Sequence, residues 1–222
     1  MRDPNFNSNN SANKNLVFDN STINFRTELD DDTKMELIEK NFREIMEVLG
    51  LDLEDESLKD SPHRIAKMYV KEIFSGLNPA NKPSITTFRN NYNYKRMIVE
   101  KNITLYSTCE HHFVPIIGKA HIAYFPSDKV IGLSKLNRIV QFYAKKPQLQ
   151  ERLTEEIARE MMNVLETDDV AVLIEADHLC VRSRGVNDVN SNTVTSSFNG
   201  RFNEHEISSE FLNSIALSKN NF

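Results

Sequence analysis

The chain has two cysteines, and each has histidine close by. The first lies in Ser107-Thr108-Cys109-Glu110-His111-His112-Phe113 and the second in Asp177-His178-Leu179-Cys180, so a fold in which the clusters act together must bring distant segments to one point. Thiolate sulfur and imidazole nitrogen are the ligands zinc prefers, and three protein ligands with a fourth position left to water mark a catalytic rather than a closed structural site. Cys109, Cys180 and one of His111 and His112 make that count, and the Cys-x2-His spacing from Cys109 to His112 lets both side chains reach one ion from a single tight turn. Two buried thiols account for the spacing equally well, since free cysteine is among the most buried residue types. A disulfide fits less well, because no targeting segment is visible and a reducing cytosol does not keep one.

Around these clusters the hydrophobic pattern changes period. Residues 1–32 are rich in Asn and Ser and predict a disordered tail, too poor in apolar surface to offset its ordering entropy. Thr33 with Glu36 three residues on forms a capping-box pattern, followed by Met35, Ile38, Phe42, Ile45, Met46 and Leu49 at helical spacing up to Gly50. Ser61-Pro62 opens a second predicted helix, through Ile65, Met68, Tyr69 and Ile73 to Gly76, and residues 78–93 read as a loop. A helical region over 33–95 thus precedes a catalytic domain over 96–217, with a short tail at 218–222.

From Met97 the pattern turns strand-like, giving one strand that runs into Cys109 and a hairpin partner over 119–125 that contains His121, read as structural. Two helices follow, one opening at Gly132-Leu133-Ser134 and one carrying Leu149, Leu153, Ile157, Met161 and Leu165. Strands over 170–175 and 193–198 and a closing helix over 204–217 complete the order. Strand, strand, helix, helix, strand, strand predicts an α+β fold, an antiparallel four-stranded sheet with two helices on one face. Its open edges make pairing between subunits a physical expectation.

Hydrophobic content of 39% and charged content of 27% describe an ordinary globular protein. A net charge of -5 offers no case for nucleic acid, so an anionic substrate would need a locally basic site. No apolar run reaches the length of a membrane span, and a cytoplasmic location is expected.

Such a basic site is present in the text. Ser134, Lys135 and Arg138 stand at a helix start, where unpaired N–H groups and the helix dipole favour phosphate. A capping serine beside two solvated cations is the plainer reading of those residues alone. Glu151, in Gln150-Glu151, could accept two parallel hydrogen bonds from the ring N–H and amine of guanine, or could simply be an acid suited to a first helical turn.

Five segments go further: Cys109-Glu110-His111-His112-Phe113, Val130-Ile131-Gly132-Leu133-Ser134-Lys135-Leu136-Asn137-Arg138-Ile139-Val140-Gln141, Gln148-Leu149-Gln150-Glu151-Arg152-Leu153-Thr154, His178-Leu179-Cys180-Val181 and Arg184-Gly185-Val186. In order and spacing they resemble GTP cyclohydrolase I, the family that opens the guanine ring of GTP on the way to folates and pterins, over about 33–217. The resemblance implies the tunnelling fold, assembly into rings that are usually decamers in bacteria, and substrate contacts drawn from more than one subunit. It implies Zn2+ on Cys109, His112 and Cys180, with His112 rather than His111 as the ligand. Gln150 and Glu151 would bind the base, and Ser134, Lys135, Arg138, Arg184 and Arg64 the triphosphate.

In this reading water activated by the metal attacks C8 of the guanine, His178 protonates the imidazole ring of the base and His111 relays a second proton. Formate release and re-closure to dihydroneopterin triphosphate follow from the resemblance. Two rivals remain: a related tunnelling-fold enzyme acting on a pterin or deazaguanine, and a catalytically silent zinc-binding regulatory homologue.

Overall fold

The computed structural model describes residues 29–216. Residues 1–28 of the tail predicted over 1–32, and the predicted tail at 218–222, fall outside them, whereas Asp31 and Asp32 of the predicted tail already belong to the first helix. Helix α1 (Asp31–Val48) is capped by Asp30, whose carboxylate accepts the Thr33 N–H at 2.8 Å. The cap is therefore Asp30 rather than Thr33, and Asp31 and Asp32 belong to the first turn, where acidic side chains suit the helix dipole. The chain leaves α1 through Gly50 at φ +79°, a conformation side chains with a Cβ seldom adopt.

Helix α2 (Ser61–Lys67) continues into a π-helical turn at Met68–Ile73 and two 3-10 turns, Ser75–Leu77 and Pro79–Asn81. The single helix expected up to Gly76 thus changes its winding twice. Gly76 is required by a close approach: a Cβ there would lie 2.2 Å from the Phe142 carbonyl oxygen, and its N–H donates to Lys145 O at 2.9 Å. The predicted loop over 78–93 also contains β1 (Thr87–Arg89), which pairs antiparallel with β4 (Lys129–Ile131). Three residues are too few to show an alternating pattern.

The main sheet holds β2 (Ile98–Cys109), β3 (Pro115–Tyr124), β5 (Pro147–Gln148), β6 (Val170–His178) and β7 (Thr193–Phe198), in the order β5-β2-β3-β6-β7. Four strands are antiparallel, as predicted. The fifth, β5, adds two residues parallel to the end of β2, pairing Thr108 with Pro147 and Cys109 with Gln148, so the sheet is mixed. The register of β2 slips between Glu100 and Ile103, where Asn102 sits at φ +61°. The Asn102 N–H donates to Nδ1 of His121 at 3.4 Å, so the buried His121 serves the strand irregularity, in line with its reading as structural.

Helices α3 (Leu133–Ala144) and α4 (Gln150–Leu165) share a core with one face of the sheet, where Leu136, Ile139, Leu153, Ile157 and Met161 meet Leu105, Ile122, Val172 and Ile174. Each such side chain contributes about 1.5–3 kcal/mol by leaving water. After α5 (Leu179–Arg182), the closing helix α6 (His205–Ala216) brings Phe211 and Ile215, with Phe202, against Ala123, Phe125 and Leu173. Alternation along β3 and β6 puts those sheet residues on the opposite face. Among the described residues, no helix is long and apolar enough to cross a membrane.

Candidate metal centre and active site

Topology unites the cysteine clusters. Strands β2 and β6 both run antiparallel to β3 and flank it, so their C-terminal ends lie side by side at one end of the sheet. There Thr108 pairs with Pro115 and Ile116 with His178. Cys109 is the last residue of β2, and Cys180 lies in α5 directly after β6. The ligand atoms of Cys109, His112 and Cys180 all lie within 4.8 Å of one another.

Both cysteines are free thiols. Burial, then the Cys109 sulfur beside it, pushes the Cys180 thiol above the ordinary range, an effect the nearby Arg184 partly opposes. Two sulfurs and one imidazole nitrogen are a donor set for a borderline-soft cation, which would relieve the crowding of two thiolates. The residues present therefore fit a metal ion.

The hairpin between β2 and β3 shapes this group. Cys109 N–H donates to Val114 O and Phe113 N–H to Cys109 O, both at 2.9 Å, which closes a tight turn with Phe113 in the left-handed region at φ +55°. Phe74, from the N-terminal region, meets the Phe113 ring edge-on at 5.4 Å. Glu110 anchors the turn to α4: its carboxylate accepts from Arg152 Nη2 at 2.5 Å. Arg152 also donates to Pro147 O at 3.0 Å and to Gln148 Oε1 at 2.9 Å. Arg152 had no predicted role, although its position one turn into a helix beside Gln148 was visible.

The choice between the adjacent histidines is resolved by geometry in favour of His112 as the candidate ligand. His111 stands next to it, with Nδ1 4.0 Å from Cys109 Sγ. His178 closes β6, and its Nε2 lies 2.7 Å from Gln150 Oε1. Burial holds its imidazole below the ordinary value, opposed by the carboxylates of Glu151 and Asp177. Glu151, the predicted base-binding acid, is exposed and its charge is felt at His178. Gln150 differs from its expected role: its side chain is buried and its amide is bonded to the sheet and to His178.

The predicted phosphate residues divide. Arg184 is exposed and its charge is felt at Cys180. Ser134, Lys135 and Arg138 lie near the start of α3, whereas its last residue, Ala144, accepts from Ser107 Oγ at 2.8 Å beside the metal strand. Ten residues of helix separate Ser134 from that contact, roughly 15 Å. Lys135 Nζ donates to Ser84 O at 2.6 Å, and Arg138 borders a small cavity with Pro83 and Asn81. One chain does not bring these three residues to the metal group. Arg64 stands exposed on α2 and pairs with Asp60 at 3.4 Å. A cavity of about 740 Å3 lies elsewhere, between the start of α1 and the facing parts of α3 and α4, and holds none of the predicted site residues.

The sequence matches the GTP cyclohydrolase I family over residues 38–216. The chain belongs to that family. It is similar to GTP cyclohydrolase 1 of Flavobacterium johnsoniae, 57% identical over 190 residues that cover 86% of this chain and 85% of the relative. The proteins of the same name from Haemophilus ducreyi and Pasteurella multocida are each 53% identical, the first over 84% of this chain and 86% of its own length, the second over 85% and 87%. The matched span contains every candidate site residue described above.

Proposed function

We propose that this chain is a GTP cyclohydrolase I, hydrolysing the guanine ring of GTP with release of formate and re-closure to 7,8-dihydroneopterin triphosphate. The observation that carries the reading is the meeting of Cys109, His112 and Cys180 at one sheet end, with His111 and Arg184 near the sulfurs and the charge of Glu151 felt at His178, two residues before Cys180. Zinc is the ion assigned to the two thiolates and one imidazole, and when bound it supplies a water nucleophile active near neutral pH. Both thiols must stay reduced to serve as ligands, which suits the cytoplasm.

The chain's own residues supply the rest. The Glu151 carboxylate grips the ring N–H and exocyclic amine of guanine, a two-bond match that a neutral side chain would make less strongly. His178 gives a proton to the imidazole ring of the base and His111 relays a second one. Arg184 holds phosphate from the metal side.

Ser134, Lys135 and Arg138 grip the triphosphate from a neighbouring copy, because in their own chain they stand at the far end of α3. The active form is then an oligomer with shared sites, a ring and a decamer in the family's usual bacterial form. The outer edge of β7 and the exposed apolar residues Ile45, Val48 and Leu49 of the first helical segment support assembly.

The test is to incubate the purified, zinc-loaded oligomer with GTP and measure formate, the fluorescence of the oxidised pterin and metal content on one sample. One formate per pterin, with about one zinc per chain, is expected. Full turnover without metal would overturn the metal site. Zinc without turnover would instead support the catalytically silent homologue.

A further inference from the structure

The side chain of Gln150 is committed inside the protein. It is 1% exposed, and its Nε2 lies 3.1 Å from Ile174 O, 3.0 Å from Thr193 O and 3.2 Å from Thr195 Oγ1. Carbonyl oxygens only accept, so exchanging the two ends of the carboxamide would set Oε1 against two other acceptors. The neighbouring hydroxyls agree. Thr154 Oγ1 donates to Gln150 O at 2.8 Å, so the 2.7 Å contact between Thr154 Oγ1 and Thr195 Oγ1 must take its hydrogen from Thr195. Thr195 Oγ1 is then left to accept from Gln150 Nε2. The two hydrogens of Nε2 are shared among two carbonyls and one hydroxyl, and the two carbonyls, which can only accept, set the carboxamide orientation on chemical grounds.

Gln150 Oε1 therefore accepts, and the atom that faces it at 2.7 Å, Nε2 of His178, must carry hydrogen. From this we infer that Gln150 is a positioning residue that holds His178 as the Nε2–H tautomer and leaves Nδ1 as the atom exchanging a proton with substrate. The inference rests on the proposed role of His178 as proton donor, and it replaces base binding by the Gln150 side chain. A ring free to choose its tautomer would present a reactive lone pair or proton at Nδ1 only part of the time. The ladder from β6 and β7 through Gln150 removes that choice.

The experiment uses the zinc-loaded oligomer with 15N-labelled histidine, read by solid-state NMR. The His178 signals are identified by their loss in His178→Ala. The wild type is expected to show His178 with hydrogen on Nε2. Gln150→Met keeps the length of the side chain and removes the acceptor. It should shift His178 towards a tautomer mixture and lower kcat about tenfold to a hundredfold, with KM for GTP little changed. Ser197→Ala, a buried loss on the same strand outside this network, should leave tautomer and kcat as they are and so separates positioning from general destabilisation.

A wild-type His178 protonated on Nδ1 alone would overturn the inference, as would an unchanged tautomer and kcat in Gln150→Met. Should Gln150→Met fail to assemble, the wild-type spectrum still decides. Full turnover by His178→Ala would sink the proton-donor role while leaving the tautomer result standing, so the two failures are distinguishable.

Discussion

Where β2 and β6 finish, side chains are already held in place by the protein; where α3 begins, they are not. At the first end Cys109 is buried, Glu110 is bound by Arg152 and His178 meets a Gln150 that is itself bonded to two strands. At the second, Ser134 and Arg138 are exposed and Lys135 donates to a backbone carbonyl of the N-terminal region. The difference matches the roles proposed for the two ends. Proton transfer and metal ligation need geometry fixed within fractions of an ångström, which packed strand ends provide. A flexible triphosphate needs positive charge and N–H donors, which a helix start can present to another molecule.

The sharpest break of this comparison is at the metal end. Cys109→Ala or Cys180→Ala should abolish zinc binding and formate release together, read by elemental analysis and turnover; an active metal-free variant would deny that this end performs the chemistry. At the other end, Lys135→Ala should raise KM for GTP about tenfold or more, by loss of one charge-assisted contact. At GTP well below the raised KM, rings reassembled from a mixture of Lys135→Ala and Cys180→Ala subunits should turn over faster than either parent variant, because some junctions then combine an intact metal end with an intact Lys135. No recovery would mean that the two ends serve one chain's own site.

A smaller effect is expected from Arg152→Met, which releases Glu110 and the turn behind Cys109. Zinc affinity should fall about 10- to 100-fold, as for other residues that orient metal ligands, with the fold retained by circular dichroism. Smallest of all is Ser107→Ala, which removes the bond between the metal strand and the end of α3. A loss of about 1 kcal/mol in unfolding free energy is expected, with KM for GTP unchanged.

Much of this was legible in the chain. Periodicity located α3 and α4 because each buries a face long enough for the repeat to show, as Leu153, Ile157, Met161 and Leu165 do. It failed for β1 and β5, strands of three and two residues, and for the π-helical turn at Met68–Ile73, whose winding leaves no repeat of its own. At the start of α1, Asp30 and Thr33 are both good caps, and only the 2.8 Å contact tells which one accepts.

The site divides in the same way. Sequence alone determined which residue types are available for chemistry: two thiols, histidines beside both, an acid at Glu151 and cations at Lys135 and Arg138. It also determined the order of elements that carries them. Tertiary structure decided which of them meet, because proximity across the sheet depends on strand order, which places β3 between β2 and β6 and so joins Cys109 to Cys180. It also decided that His112 rather than His111 joins the sulfurs, and that Gln150 turns inward to His178. Adjacent residues offer the same functional groups, and only backbone direction and the surrounding hydrogen-bond acceptors distinguish their roles.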